Sequence, residues 1–267
     1  MTIIKNKFQF NATTLKLLAA ALMFLDHVHQ MWAYEGAPMW LTWLGRPVFP
    51  LFLFAMAEGF HYTRNRKNYL KRLLFAAWFM AIFTTILQEA ISNPTAQLMN
   101  NAFMTFFVTG LYMLFWDRFI SGKREKNTKK MIRAVLLAVV PFLTSIPTLL
   151  LMTSNLRNVF PSWAFHTLMQ ILMMVPNAFT VEGGFLMVLL GLLFYIFQGK
   201  RLAQILVLVI LSAIIFLLGG GIQWLMVFAA IPIYLYNGEK GAGLKNFFYI
   251  FYPAHIGILY ILSALLK

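Results

Sequence analysis

Nine apolar runs, each long enough to cross a lipid bilayer as a helix, divide this sequence into alternating hydrophobic and polar stretches. They occupy residues 13–33, 43–61, 69–90, 102–120, 131–152, 182–198, 202–219, 221–236 and 247–266. A spanning helix needs about 17–25 mostly apolar residues. The pattern therefore predicts an all-α integral membrane protein with about nine or ten transmembrane helices. The first run lacks a small-residue cleavage site, so we expect it to be a retained signal anchor.

The composition supports this class and excludes others. Hydrophobic residues make up 61% of the chain and charged residues 11%, whereas soluble domains carry about 25% charged residues. The formal net charge is +14, but the positive residues lie in short loops between apolar runs, which indicates membrane topology and not nucleic-acid binding. The sequence has no cysteine, which excludes disulfides, thiolate nucleophiles and Cys-ligated metals.

The distribution of Lys and Arg predicts how the chain is oriented. A shorter and more polar stretch, 162–178, could be re-entrant, interfacial or an extra span. If it does not span and the N-terminus is cytoplasmic, nearly all Lys and Arg residues face the cytoplasm, as the positive-inside rule requires. Lys5 and Lys7 then lie inside, and Arg46, Arg157 and Lys267 lie outside. We expect nine spans plus this segment, with ten spans as the alternative, in a single domain over 1–267.

The first apolar run carries two ionisable residues on one helix face. Lys16 and His27 are eleven positions apart, which is about 1100° of helix rotation and within about 20° of three full turns. The rise between them is about 16 Å. Ionisable groups inside an apolar span are costly, so each is a candidate functional residue. Asp26 points about 100° away from His27 and could instead pair with Arg46 across helices.

The other polar residues of the apolar runs fall into two layers under this topology. The outer layer contains Asp26, His27, His29 and Arg46, and the inner layer contains Glu58, His61, Tyr62, Arg64, Asn237, Glu239, Lys240 and His255. His255 is expected about 12 Å into the last run, at a depth different from that of His27. A basic cytoplasmic rim could bind anionic lipid or the phosphates of a nucleotide-like cofactor.

Several ordered segments give the chain a family resemblance. They are Phe24-Leu25-Asp26-His27, Gly45-Arg46-Pro47-Val48-Phe49-Pro50, Glu58-Gly59-Phe60 with Thr63-Arg64-Asn65-Arg66-Lys67-Asn68-Tyr69, Asn101 with Thr105 and Gly110, Tyr236-Asn237-Gly238-Glu239-Lys240-Gly241 and the run from Phe247 to His255. Together they resemble the TraX family, named for a pilin N-acetyltransferase. The Lys16–His27 spacing is also similar to the Arg/Lys–ten residues–His signature of acyltransferase type 3 membrane proteins. Lys240 stands where many relatives are expected to have Arg, so charge is kept but bidentate phosphate geometry is lost.

The resemblance implies a membrane-embedded acyltransferase of a bacterial cell membrane. It would move an acetyl group from cytoplasmic acetyl-CoA to a hydroxyl or amine at the outer face, on a glycan, a lipid, a small molecule or a protein N-terminus. No metal is implied. In this hypothesis His27 is the general base, Asp26 orients its imidazole or holds Arg46, and Arg46 stabilises the oxyanion. The residues expected to bind acetyl-CoA or shape its path are Lys16, Glu58, Tyr62, Arg64, Asn237, Lys240 and His255.

Two other classes of protein share some of these features. A transporter or flippase also places charges at mid-membrane and breaks helices with Pro or Gly, although no clear inverted repeat and no dense run of acidic residues is present. A haem-binding electron carrier would use His27 and His255, but their expected depths differ. The sequence therefore favours acetyl transfer, with transport as the alternative, and leaves the acceptor open.

Overall fold

The computed structural model describes residues 9–153 and 160–266, and helices account for most of both ranges. The helices are α1 (Ala12–Trp32), α2 (Trp40–Gly45), α3 (Val48–His61), α4 (Arg66–Ala90), α5 (Ala102–Arg124), α6 (Thr128–Leu143), α7 (Ser145–Thr153), α8 (Ser162–Met174), α9 (Gly184–Ile196), α10 (Arg201–Leu217), a 3₁₀ helix (Gly221–Ala229), α11 (Ala230–Tyr234) and α12 (Lys245–Leu265). Phe10 and Tyr236 form an isolated β-bridge, and the described residues contain no longer strand. The predicted all-α class is confirmed for these residues.

Five helical stretches are long and apolar enough to cross a membrane, which supports a membrane protein. They are Trp40–His61, Arg66–Ala90, Ala102–Arg124, Thr128–Thr153 and Asn246–Leu265. Each coincides with one of the apolar runs. Shorter apolar helices occupy Gly184–Ile196, Arg201–Leu217 and Gly221–Tyr234. The predicted number of nine or ten spans is thus not confirmed.

Two of the predicted segments show why the number differs. Helix α1 is 21 residues long, but Lys16, Asp26 and two histidines interrupt its apolar sequence, and it is not among the five stretches. Helix α8 has 13 residues, or about 20 Å at 1.5 Å per residue, which is shorter than the bilayer core of about 30 Å. This length suits the re-entrant or interfacial alternative for 162–178.

The described residues fall into two compact units. One contains α1, α2, most of α3, the segment Leu87–Leu98, and the chain from Leu193 onwards. The other contains the rest of α3 and α4 together with α5 to α8 and most of α9. The expectation of a single domain stays a prediction. The structure does not describe four of the charged residues on which the topology prediction depends: Lys5, Lys7, Arg157 and Lys267.

In the first unit, α1 packs against α2 and α12, and α10 packs against the 3₁₀ helix and α11. Helix α1 begins where the Asn11 side chain accepts a hydrogen bond from the Thr14 amide at 2.9 Å, a standard N-cap. Its buried residues recur every fourth position, at Leu15, Ala19, Met23, His27 and Met31. This spacing lies on one face of a helix, so His27 faces the interior of the unit.

The second unit is built on an α5–α6 hairpin. Asn101 caps α5 by accepting from the Met104 amide at 3.4 Å and donates to the carbonyl of Ala77 at 3.1 Å. The backbone amide of Asn101 also donates to the Glu182 carboxylate at 2.6 Å. Near the turn, a Cβ on Gly122 would lie 2.9 Å from the Met131 side chain, so only glycine allows the two helices to approach this closely.

Candidate active site

Two buried histidines, one from α1 and one from α12, are in direct contact inside the first unit. His27 Nδ1 lies 2.7 Å from His255 Nε2, and both residues are only 5% exposed. Their rings are stacked, with centroids 4.9 Å apart. The sequence-based expectation that they lie at different depths is therefore wrong. Depth along one helix could be counted from sequence, but the way in which α12 crosses α1 could not.

The hydrogen bonds around this pair determine which nitrogen carries each proton. His255 Nδ1 lies 2.6 Å from the Phe251 carbonyl oxygen, which can only accept, so His255 donates from Nδ1. In neutral His255 the Nε2 atom is then an acceptor, and His27 donates to it from Nδ1. A neutral His27 therefore carries its basic lone pair on Nε2, the nitrogen that a general base would use.

An aromatic wall surrounds the pair. The Phe251 ring stacks on one face of His255, with centroids 4.5 Å apart. Tyr252 and Phe24 complete the wall, with ring centroids 6.5 Å from His27 and 6.4 Å from His255, respectively. The Phe251 ring on one face and the hydrogen bonds at Nδ1 and Nε2 restrict rotation of the His255 ring and keep Nε2 directed at His27.

Asp26 is engaged by a separate polar cluster. Arg46 Nη2 donates to both carboxylate oxygens of Asp26, at 2.8 and 2.9 Å, and the Thr42 hydroxyl donates to Oδ1 at 2.6 Å. The predicted pairing of Asp26 with Arg46 is thus confirmed. Arg46 also donates from Nε to the Thr42 carbonyl at 3.0 Å and from Nη1 to Gln223 Oε1 at 3.1 Å. Each guanidinium nitrogen already serves a protein oxygen, so this cluster is suited to fixing α1 against α2.

Gly45 allows this cluster to form. A Cβ built at Gly45 would overlap the carboxylate carbon of Asp26. The Asp26 side chain thus occupies the space above a glycine of α2, where any larger residue would displace it. This close approach explains why the Gly45-Arg46 dipeptide of the sequence pattern accompanies Asp26.

The N-terminal end of α1 is held by the loop that follows α11. The Ala12 amide donates to the Glu239 carbonyl at 2.8 Å, and the Thr13 hydroxyl donates to the Lys240 carbonyl at 3.1 Å. Gly241 has φ +68°, and a Cβ there would overlap Asn11 and Thr13. A glycine is needed both for this conformation and for the close approach.

Two predicted cofactor-binding lysines, Lys16 and Lys240, lie near this end of α1. Lys16 Nζ lies 5.9 Å from the centre of the Phe248 ring, and it is close enough to Lys240 for the two positive charges to repel each other. No ion pair involves either lysine among the described residues. A site with two adjacent cations and no carboxylate pairing is suited to an anion.

Glu58 lies in a third cluster of the first unit. It is 8% exposed, and its Oε1 atom lies 3.5 Å from Gln204 Nε2 and 4.0 Å from Arg201 Nη1. Both α10 residues were missed by sequence reasoning, because Arg201 resembles an ordinary loop cation and Gln204 was not singled out. Gln204 could have been identified from the sequence, because it is a polar residue inside the apolar run 202–219.

The remaining predicted cofactor residues are placed differently. Asn237 is exposed and makes a local turn, accepting from the Glu239 amide at 2.9 Å and donating to its carboxylate at 3.1 Å. Tyr62 and Arg64 are exposed and belong to the second unit, so the structure does not group them with His27. The described residues contain no cluster of three or more metal-ligating side chains, and the expectation of no metal stays a prediction.

Comparison with known proteins places the whole arrangement in a family. A family model described as TraX protein matches residues 11–263. The chain belongs to the TraX family. The TraX match includes both histidines, the Asp26–Arg46 cluster and the residues around Glu58. The chain is also similar to a probable fimbrial assembly protein FimC, serogroup H1, of Dichelobacter nodosus, with 27% identity over 258 residues and 94% of each chain covered. No solved structure matches this TraX-family chain.

Proposed function

We propose that this protein is an acetyl-CoA-dependent acyltransferase of the cell membrane, with His27 as general base. The observation that carries the proposal is the Phe251–His255–His27 hydrogen-bond series, which directs the lone pair of neutral His27 onto Nε2. A positioned general base contributes about 10²–10⁴-fold to rate. Burial excludes bulk water, which would otherwise compete with the acceptor for the thioester.

In the proposed reaction the acceptor attacks the thioester directly. Its hydroxyl oxygen or amine nitrogen forms a bond to the carbonyl carbon, its proton passes to His27 Nε2, and the carbon–sulfur bond breaks. The CoA thiolate then takes up that proton, and His27 returns to its neutral form. Such a transfer requires no cysteine nucleophile, in agreement with the absence of cysteine from the sequence.

His255 supports the step while His27 is positively charged. The bond from His27 Nδ1 to His255 Nε2 spreads this charge over two imidazoles, in a region too apolar to solvate a single cation well. Arg46, by contrast, is held by Asp26, Thr42 and Gln223. We therefore assign Asp26 and Arg46 to positioning α1, and not to direct contact with the reacting carbonyl.

The donor would extend along α1. Lys16 and Lys240 would hold its phosphates at one end, and the pantetheine arm would cover the helix rise of about 16 Å between Lys16 and His27. We propose that the phosphate end faces the cytoplasm. The relative named for fimbrial assembly supports an exported acceptor, and we propose a surface protein amine or a hydroxyl of a cell-surface glycan or lipid.

Radiolabelled acetyl-CoA tests the proposal directly. Inverted membrane vesicles that contain the wild-type protein should transfer label to a membrane or lumenal product, and His27→Ala should reduce transfer by about 10²–10⁴-fold. His29→Ala is the matched control, because it removes an imidazole from the same helix about 200° around the axis. Full transfer by His27→Ala would refute the assignment. Accumulation of unreacted acetyl-CoA in the lumen would instead favour a transporter.

A further inference from the structure

Arg201 contacts two aromatic rings at the start of α10. The centre of its guanidinium is 4.7 Å from the centroid of the Phe54 ring and 4.9 Å from that of Tyr236. The two ring centroids are themselves only 5.4 Å apart, with the ring planes at 84°, so the rings form a corner against one part of the guanidinium and restrict its position through cation–π contact. The side chain is 26% exposed, so part of it reaches the surface of the unit.

Within the part of the chain that the structure describes, only the Nη1 atom of Arg201 forms a hydrogen bond. Arg201 Nη1 donates to Gln204 Oε1 at 3.0 Å, and the amide of fully buried Gln204 is fixed by a 2.8 Å bond to the Phe194 carbonyl. Glu58 Oε1 is 4.0 Å from the same Nη1 atom, too far for a hydrogen bond. Among the described residues, no hydrogen bond involves Nε or Nη2 of Arg201. Glu58 therefore offsets part of the charge as an ion pair, while the unused donors of this partly exposed guanidinium remain suited to an anionic ligand.

A short stretch of backbone links Arg201 to the end of α1 that carries Lys16. Tyr236 contacts Arg201 through its ring and is bridged to Phe10 through its backbone. Four residues later, the backbone carbonyl of Lys240 accepts a hydrogen bond from the Thr13 hydroxyl at the start of α1. The loop from Tyr236 to Lys240 therefore connects Arg201 to the end of α1 that carries Lys16.

We propose that Arg201 binds a phosphate group of the nucleotide half of the acyl donor, an inference that rests on the proposed acyl-CoA reaction. Lys16 and Lys240 would supply charge, and Arg201 would supply the fixed, directional fork of donors. The site would require a phosphate mono- or diester, and the phosphate of an anionic lipid headgroup carries the same chemistry. The test therefore separates these two sources.

The experiment measures binding of adenosine 3′,5′-bisphosphate and of acetyl-CoA to the full chain in neutral detergent, by isothermal titration calorimetry. Arg201→Gln should bind both ligands about 10- to 100-fold more weakly than wild type, since charge-assisted hydrogen bonds are lost. Lys200→Gln is the matched control, because it removes the same charge from the exposed preceding residue and should bind almost normally. Arg201→Lys should remain weak, because lysine keeps the charge but not the fork.

Kinetics provide the second arm. Arg201→Gln should raise the KM for acetyl-CoA with little change in kcat, and it should not change the KM for S-acetyl-pantetheine, which has no nucleotide phosphates. Phosphatidylglycerol added to the detergent should leave acetyl-CoA binding by wild type unchanged. If it abolishes that binding, and the loss depends on Arg201, the phosphate belongs to lipid and the donor assignment is wrong.

The outcomes distinguish this inference from the proposed function. Equal binding of both ligands by wild type and Arg201→Gln, with both proteins folded, overturns the inference even if acetyl transfer is intact. Binding of adenosine 3′,5′-bisphosphate that depends on Arg201, without any acetyl transfer by wild type, supports the phosphate site and refutes the transfer chemistry. Failure of wild type to bind adenosine 3′,5′-bisphosphate overturns the inference.

Discussion

The contact between the two histidines leads to a graded prediction for substitutions of His255. His255→Gln offers an amide oxygen that can still accept from His27 Nδ1, but it cannot take up a proton. His255→Ala removes both the acceptor and the ring. We therefore expect the rate of acetyl transfer to fall in the order wild type, His255→Gln, His255→Ala, His27→Ala.

The size of the effect follows from the hydrogen bond itself. His255→Ala leaves the buried His27 Nδ1–H without the acceptor that it has at 2.7 Å, and an unsatisfied buried donor costs about 1–3 kcal/mol. If the same interaction acts on the transition state, kcat falls by about 5- to 150-fold, since 1.4 kcal/mol is a factor of ten. Complete loss of the base is expected to cost about 10²–10⁴-fold, which places His255→Ala between wild type and His27→Ala.

Single-turnover acetyl transfer in proteoliposomes measures this order, with KM for acetyl-CoA recorded alongside kcat. KM should stay near the wild-type value, because His255 contacts His27, which is separated from Lys16 by about 16 Å of helix rise along α1. Nitrogen-15 NMR of histidine-labelled protein should show an unprotonated Nε2 on His27 in wild type and a mixture of tautomers in His255→Ala. Wild-type kcat in a folded His255→Ala protein, or an unchanged tautomer, would show that the series of hydrogen bonds does not control His27.

Two further predictions concern how α1 is held in place. Gly45→Ala should lower the free energy of unfolding by about 1–3 kcal/mol, because the added methyl group overpacks against Asp26. Gly59→Ala is the control and should be neutral or slightly stabilising, because an added Cβ there meets nothing within 4 Å. Thermal unfolding in detergent compares the two variants, and equal losses of stability would contradict the close contact at Gly45. Asp26→Asn should destabilise the protein by about 1–3 kcal/mol, because Arg46 loses its charge-assisted hydrogen bonds, and it should reduce acetyl transfer less than His27→Ala does; inactivation as complete as that of His27→Ala would give Asp26 a role in the chemistry.

Sequence patterns predicted the local features of this protein well. The apolar run 13–33 predicted helix α1. The charges of Asp26 and Arg46 predicted their ion pair, because two opposite charges in adjacent apolar segments have few other partners. The five longest membrane-crossing stretches coincide with apolar runs. Each of these conclusions depends on composition within a short stretch of chain or on charge complementarity.

Features that depend on how helices cross could not be predicted in the same way. The contact of His27 with His255 joins residues 228 positions apart, and no spacing in either helix specifies it. Arg201 was counted as a topological charge because a Lys-Arg pair between two apolar runs is typical of a cytoplasmic loop. The contacts of its guanidinium with Phe54 and Tyr236 and its bond to buried Gln204 distinguish it from an ordinary surface cation.

The two histidines are far apart in the sequence, so the ribosome synthesises them at different times. His255 leaves the ribosome 228 residues after His27, which at about 5–20 residues per second takes roughly 10–45 s. During that interval α1 has neither the acceptor for its histidine nor the loop around Lys240 that holds its first turn. A nascent chain therefore lacks the His27–His255 hydrogen bond until α12 joins α1, and truncated products without α12 never form it.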